Sequence, residues 1–143
     1  MKGDTIPDQH HIARYCKPTQ VPNGKIQATA FMLRNVEGSL SVNWLEFLNC
    51  SSRESEIDAL RSTYSRKLKV RAGAKISVLN VGEVREKVLT ESPDRRNLKV
   101  LHDPQYIEVY DPSHSGIYNL KQADELIAEL ILETVRETYP ARK

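Results

Sequence analysis

Four histidines, His10, His11, His102 and His114, are the side chains of this sequence best suited to chemistry, because imidazole gives and takes a proton near neutral pH without a large pKa shift. Two of them bracket His102 to Gly116, HDPQYIEVYDPSHSG, which also holds two Asp-Pro pairs and a Ser-His-Ser-Gly run. Asp-Pro favours a turn and Gly116 can close one, so Asp111 to Gly116 is predicted as a loop. That loop would join a strand over Tyr106 to Tyr110 to a long helix over Lys121 to Tyr139. His114 would then stand just ahead of a helix N-terminus, where unpaired N–H groups favour an anion.

A second polar group lies near the start of the chain. Asp8 is placed to cap a short helix over Gln9 to Cys16, ended by Pro18, in which His11 and Arg14 share a face. Together these segments predict a site. His114 and His102 serve as acid and base, Asp111 or Asp103 orients them, and Arg14 with His11 holds an anion. The bland alternative is that surface loops simply contain histidines and that Asp-Pro turns need no function.

Other chemistries find less support. His10, His11, Cys16, His102, Asp103, Asp111 and His114 include metal-ligand types, but none of their spacings matches a paired C-x-x-C or an H-E-x-x-H, and no metal or cofactor is assigned. Cys16 with a distant histidine is compatible with thiol catalysis and equally with plain burial. G-x-S-x-G is absent, and the six isolated glycines write neither a phosphate loop nor a dinucleotide fingerprint.

Between Ala59 and Gly82 there is no acidic residue, while Arg66, Lys67, Lys69, Arg71 and Lys75 cluster there. Read as a strand, Lys67, Lys69 and Arg71 line one face. That pattern either protects a sheet edge or tracks the phosphates of a nucleic acid, with Tyr15 and Tyr64 available for stacking.

The elements that must position these groups follow from periodicity. Ser51 and Glu54 stand at capping-box spacing before a helix over about Ser52 to Ser65, and Ile76 to Val81 has the apolar run of a central strand. Ile26 to Leu33 and Leu40 to Phe47 form a predicted hairpin across Arg34 to Ser39, with the Trp44 face inward. Val84, Val88 and Leu89 suggest a short helix, and Leu98 to Leu101 a strand delivering His102 and Asp103. Along the final helix an apolar stripe from Ala123 to Val135 runs beside an acidic one at Glu125, Glu129, Glu133 and Glu137.

At 143 residues, with 39% apolar and 28% charged positions and a formal charge of +2, the composition is that of an ordinary globular chain with little long-range pull on nucleic acid. Two cysteines make no disulfide framework, no apolar run is long enough to span a membrane, and no secretory signal opens the sequence, so a cytoplasmic location is expected. The expected fold is α+β, one domain over 1–143 with 1–5 frayed. Its mainly antiparallel sheet is packed by a long C-terminal helix and one or two shorter ones. The expected function is a His/Asp/Arg site built from His11, Arg14, His102, Asp111 and His114 for a phosphate-bearing or anionic ligand, with hydrolysis or transfer at phosphorus as the matching reaction. The rivals are a nucleic-acid-binding module using Arg66, Lys67, Lys69, Arg71 and Lys75, and an accessory protein docking through its C-terminal helix or the Trp44 hairpin.

Overall fold

Six strands and three α-helices make up the fold in a computed structural model that describes residues 2–34 and 37–143. The strands are β1 (His11–Cys16), β2 (Leu40–Trp44), β3 (Lys75–Asn80), β4 (Lys99–His102), β5 (His114–Tyr118) and β6 (Glu137–Pro140). They form one sheet in the order β4-β5-β2-β1-β3-β6, antiparallel at every pairing. The helices are α1 (Arg53–Lys67), α2 (Val81–Glu91) and α3 (Glu125–Leu132). The class is therefore α+β.

Both faces of the sheet are covered, which explains why its middle strands are buried almost throughout. On one face Ala13, Leu45, Ile76 and Val78 pack with Ile57, Leu60 and Tyr64 of α1. On the other, Ile12, Cys16, Leu40, Val42 and Ile117 pack with Val84 and Val88 of α2, Ile127 and Ile131 of α3, and Phe31. Burying each such side chain contributes about 1.5–3 kcal/mol before the entropy of ordering it. Each helix is capped as its sequence allows: Ser52, Asn80 and Asp124 accept from the backbone N–H of Ser55, Glu83 and Ile127. At the start of α2, Gly82 lies so close to the N-terminal segment that a Cβ there would stand 2.9 Å from that of Asp8. Gly3 to Ile6 run along β4, with Gly3 N–H donating to the His102 carbonyl and Ile6 N–H to that of Val100.

Several expectations are corrected. The C-terminal helix is short: α3 ends at Leu132, where the Thr134 hydroxyl and N–H both turn back to the Ile131 carbonyl, and the chain reverses into β6 against β3. Residues 11–16 form a strand, since both edges of β1 are occupied by partners; Asp8 pairs with Arg85 instead of capping a helix. Ala28–Phe31 is a 3₁₀ turn, so Leu40–Trp44 pairs with β1 and β5 and makes no hairpin with the preceding run. Of the Arg34 to Ser39 connection, positions 35 and 36 lie outside the described residues, as does Met1.

The basic run is not a strand either, because Lys67 closes α1 and the chain turns at Gly73 with φ +92°. Around Tyr106 to Tyr110 the backbone bends, with Glu108 at φ 70° and Ile107 fully out in solvent, and the strand lies after Asp111, at His114–Tyr118.

Candidate functional site

In the middle of the sheet two strands part company. β1 and β2 are in register only at Ile12 with Trp44 and Ala13 with Asn43, whereas β1 stays paired with β3 as far as Cys16 and β2 with β5 as far as Leu40. Strand alternation turns Arg14 toward the face that carries Ile12 and Cys16. Its guanidinium spans the split: Nε donates to the Ala30 carbonyl at 2.8 Å and Nη1 to that of Ser41 at 2.8 Å. A cavity of about 680 Å³ opens there, within the range of small-molecule sites. Its polar lining includes Arg14, Lys17, Arg34, Glu37, Lys67 and His114.

Arg14 is unusual in its company. Both acceptors are main-chain carbonyls; no carboxylate forms a salt bridge with it, and Nη2 has no partner among the described residues. Burial lowers its pKa, as expected for a cation drawn from water, while Cys16 and then Glu37 partly offset this. Glu37 itself is paired with Arg34, whose hydrogen bond holds the carboxyl below the ordinary glutamate range.

A chain of buried hydrogen bonds forms the cavity's inner wall. The Tyr64 hydroxyl donates to Asn43 Oδ1 at 2.8 Å, and Asn43 Nδ2 donates to Asp111 Oδ1 at 2.8 Å and to Ser113 Oγ at 2.9 Å. Lys67 Nζ completes it, donating to Asp111 Oδ2 at 2.7 Å and to Gln105 at 3.1 Å. Asp111 is 1% exposed, so this ion pair is desolvated on the carboxylate side. Burial, reinforced by the Asp111 charge, pushes the Tyr64 phenol far above its ordinary range and keeps it a neutral donor.

His114 enters the cavity from β5. Its Nδ1 donates to the Asp103 carbonyl at 2.9 Å, with the Asp103 carboxylate 3.9 Å away, so a main-chain oxygen orients the ring. A carbonyl only accepts, which assigns the proton to Nδ1 and leaves Nε2 without a protein partner among the described residues.

Of the residues singled out in the sequence, the structure brings Arg14 and His114 to one cavity and sets Asp111 directly behind its wall. The other two lie elsewhere. His11 donates through Nδ1 to Glu46 at 2.7 Å. His102 Nε2 donates to the Pro112 carbonyl, and its ring packs against Trp44 and Phe47, where Trp44 in turn donates to His10. Lys17, Asn43 and Glu37 carried no sequence signal as site members, and Tyr64 only one for stacking on a nucleic acid; the strand register and the split reveal them.

Arg66, Lys69 and Arg71 are exposed cations, but Lys67 is committed to Asp111 and Lys75 sits on β3 between β1 and β6. Among the described residues no group of three or more His, Cys, Asp or Glu side chains is placed to hold a metal, and no helix is long and apolar enough to cross a membrane.

No protein-family model, curated protein or solved structure matches the chain.

Proposed function

We propose that this protein binds a small phosphate-bearing molecule in the cavity between β1 and β2. The observation that carries the reading is Arg14, a half-buried guanidinium in the cavity lining that is held by two carbonyls, with Nη2 unpartnered among the described residues. A cation partly withdrawn from water without a paired carboxylate carries a desolvation cost, and an incoming anion relieves it. The charges around it fit a dianion. Arg14, Lys17, Arg34 and Lys67 against Glu37 and Asp111 leave a formal +2, matching a phosphate monoester, which carries about −1.5 to −2 near neutrality.

In this reading Arg14 and Lys17 hold the phosphate, as charge-assisted donors do. Asp111 and Asn43 position Lys67, and His114 Nε2 accepts from a protonated phosphate oxygen or, once protonated itself, donates to an ionised one. His11 and His102 brace the scaffold from outside the cavity. Hydrolysis or transfer at phosphorus in the same place would use His114 as its proton carrier. The nucleic-acid reading draws on Arg66, Lys69 and Arg71 alone, since Lys67 and Lys75 belong to the fold.

The test is calorimetric titration of inorganic phosphate and phosphate esters into wild type, Arg14→Met, His114→Gln and, as a remote control, the exposed Arg142→Gln. Hydrogen bonds to a charged group are worth about 1.5–3 kcal/mol, so Arg14→Met is expected to weaken binding roughly 10- to 150-fold with Arg142→Gln unchanged. Wild-type protein that binds no phosphate compound near about 1 mM, or an Arg14→Met variant that binds as wild type does, overturns the proposal.

A further inference from the structure

We infer, resting on the phosphate reading above, that the ligand is an aryl phosphate, a phosphate monoester with a compact aromatic body, and not a nucleotide. The cavity's lining is of two kinds. Beside the cations it includes Tyr15, Met32, Leu33, Leu68 and Ala123, which offer apolar surface. Tyr15 is half-buried, with its ring 5.4 Å from that of Tyr64 and tilted by 59°, so it offers an aromatic flank fixed by a second ring. Met32, also in the lining, is the adaptable kind of side chain that shapes itself to a ring edge.

Nucleobase recognition draws on side-chain amides free to pair with base edges, and here few of their positions are left open. Asn43 makes all three of its bonds to Tyr64, Asp111 and Ser113. Gln20 accepts from the Lys17 N–H with its oxygen and donates to the Thr29 carbonyl with its nitrogen. A base seated against this wall would surrender most of its hydrogen bonds to water with little replacement, which is unfavourable, whereas an unsubstituted ring loses none. At about 680 Å³ the cavity is far larger than a phosphate, so the apolar wall needs an occupant of its own.

The experiment compares inorganic phosphate, phenyl phosphate and adenosine 5′-monophosphate by calorimetry on the full chain, with wild type, Arg14→Met and Leu68→Asn. Leu68 is 41% exposed and outside the hydrogen-bonded wall, so its replacement leaves the fold and the cations in place. Phenyl phosphate is expected to bind roughly ten- to a hundredfold tighter than inorganic phosphate, adenosine monophosphate no tighter than phosphate, and Leu68→Asn to remove most of the phenyl gain while leaving phosphate affinity alone. Phosphate binding that depends on Arg14 but gains nothing from the phenyl group, or gains as much from adenosine, overturns the aryl assignment and leaves the phosphate site standing. Absence of binding by all three compounds, or binding indifferent to Arg14→Met, removes the site and the assignment together.

Discussion

Replacing Asn43 by leucine tests the inner wall of the cavity most directly. The two side chains are close in size, so the change removes polarity with little change of volume. Three hydrogen bonds go with it: from the Tyr64 hydroxyl, to the Asp111 carboxylate and to the Ser113 hydroxyl. Neutral bonds contribute about 1 kcal/mol each and those to a charged group about 1.5–3, and the fully buried Tyr64 hydroxyl is left without its acceptor. Leucine returns about 1–2 kcal/mol of apolar transfer. The net expectation is a loss of roughly 3–4 kcal/mol, a large share of the 5–15 kcal/mol typical of a domain, and a drop in Tm of roughly 10 °C.

Urea unfolding monitored through the single tryptophan, Trp44, reads the first quantity and a thermal melt the second. Tyr64→Phe breaks only one of the three bonds and should cost about 1–2 kcal/mol; combined with Asn43→Leu its effect should largely vanish, because the bond is already gone. A loss below about 1 kcal/mol for Asn43→Leu, or strict additivity in the pair, would refute the buried network as the support of Lys67.

Two further predictions concern titration and reactivity. Burial pushes the Glu46 carboxyl up, but hydrogen bonds from the His11 ring and backbone N–H outweigh it and hold the group below its ordinary range. A depressed carboxyl stabilises the fold above its unfolded pKa, about 4.3, and that contribution is lost as pH falls through the folded value. Glu46→Gln should therefore lower stability at neutrality, where the ionised carboxylate contributes, and leave it little changed in acid below the folded value, so that the acid limb of a stability-against-pH curve flattens; an unchanged limb counts against the pair. Burial likewise pushes the Cys16 thiol up, and the residue is wholly inaccessible, whereas Cys50 is half-buried. An aromatic disulfide reagent should label one thiol quickly in native protein and both in urea, and a Cys50→Ser variant that still reacts quickly would contradict the burial of Cys16.

What was legible in the sequence followed the strength of local pattern. Ile76 to Val81 nearly coincides with β3, because an unbroken apolar run has only one comfortable place, the middle of a sheet covered on both sides. The first helix was found to within two residues, though its cap is Ser52 and not Ser51. β1 was misread because Ile12, Tyr15 and Cys16 mimic helical spacing while the true alternation sets Arg14 between Ile12 and Cys16 on an inward face.

The same cause hid β5. Ser113, His114, Ser115 and Gly116 read as a turn, yet all four are buried: Ser113 accepts from Asn43, His114 Nδ1 donates to the Asp103 carbonyl, and Ser115 donates back to the Ser113 carbonyl. For the last helix the glutamate stripe outlasted the helix itself, since Glu137 continues the i, i+4 count into β6. Arg14, His114 and Asp111 were singled out by residue type, but the split that brings them together is a matter of register, which periodicity does not encode.

That split has a mechanical consequence. Three strands on one side, β6, β3 and β1, and three on the other, β5, β2 and β4, are stitched to each other only near His11 to Ala13, where Leu45 N–H also donates to the His11 carbonyl. The sheet is laid out as a book with a short spine, each cover laddered continuously within itself. The pocket lies where the pages part, and the guanidinium of Arg14, reaching from one page to a carbonyl on the other, is their clasp.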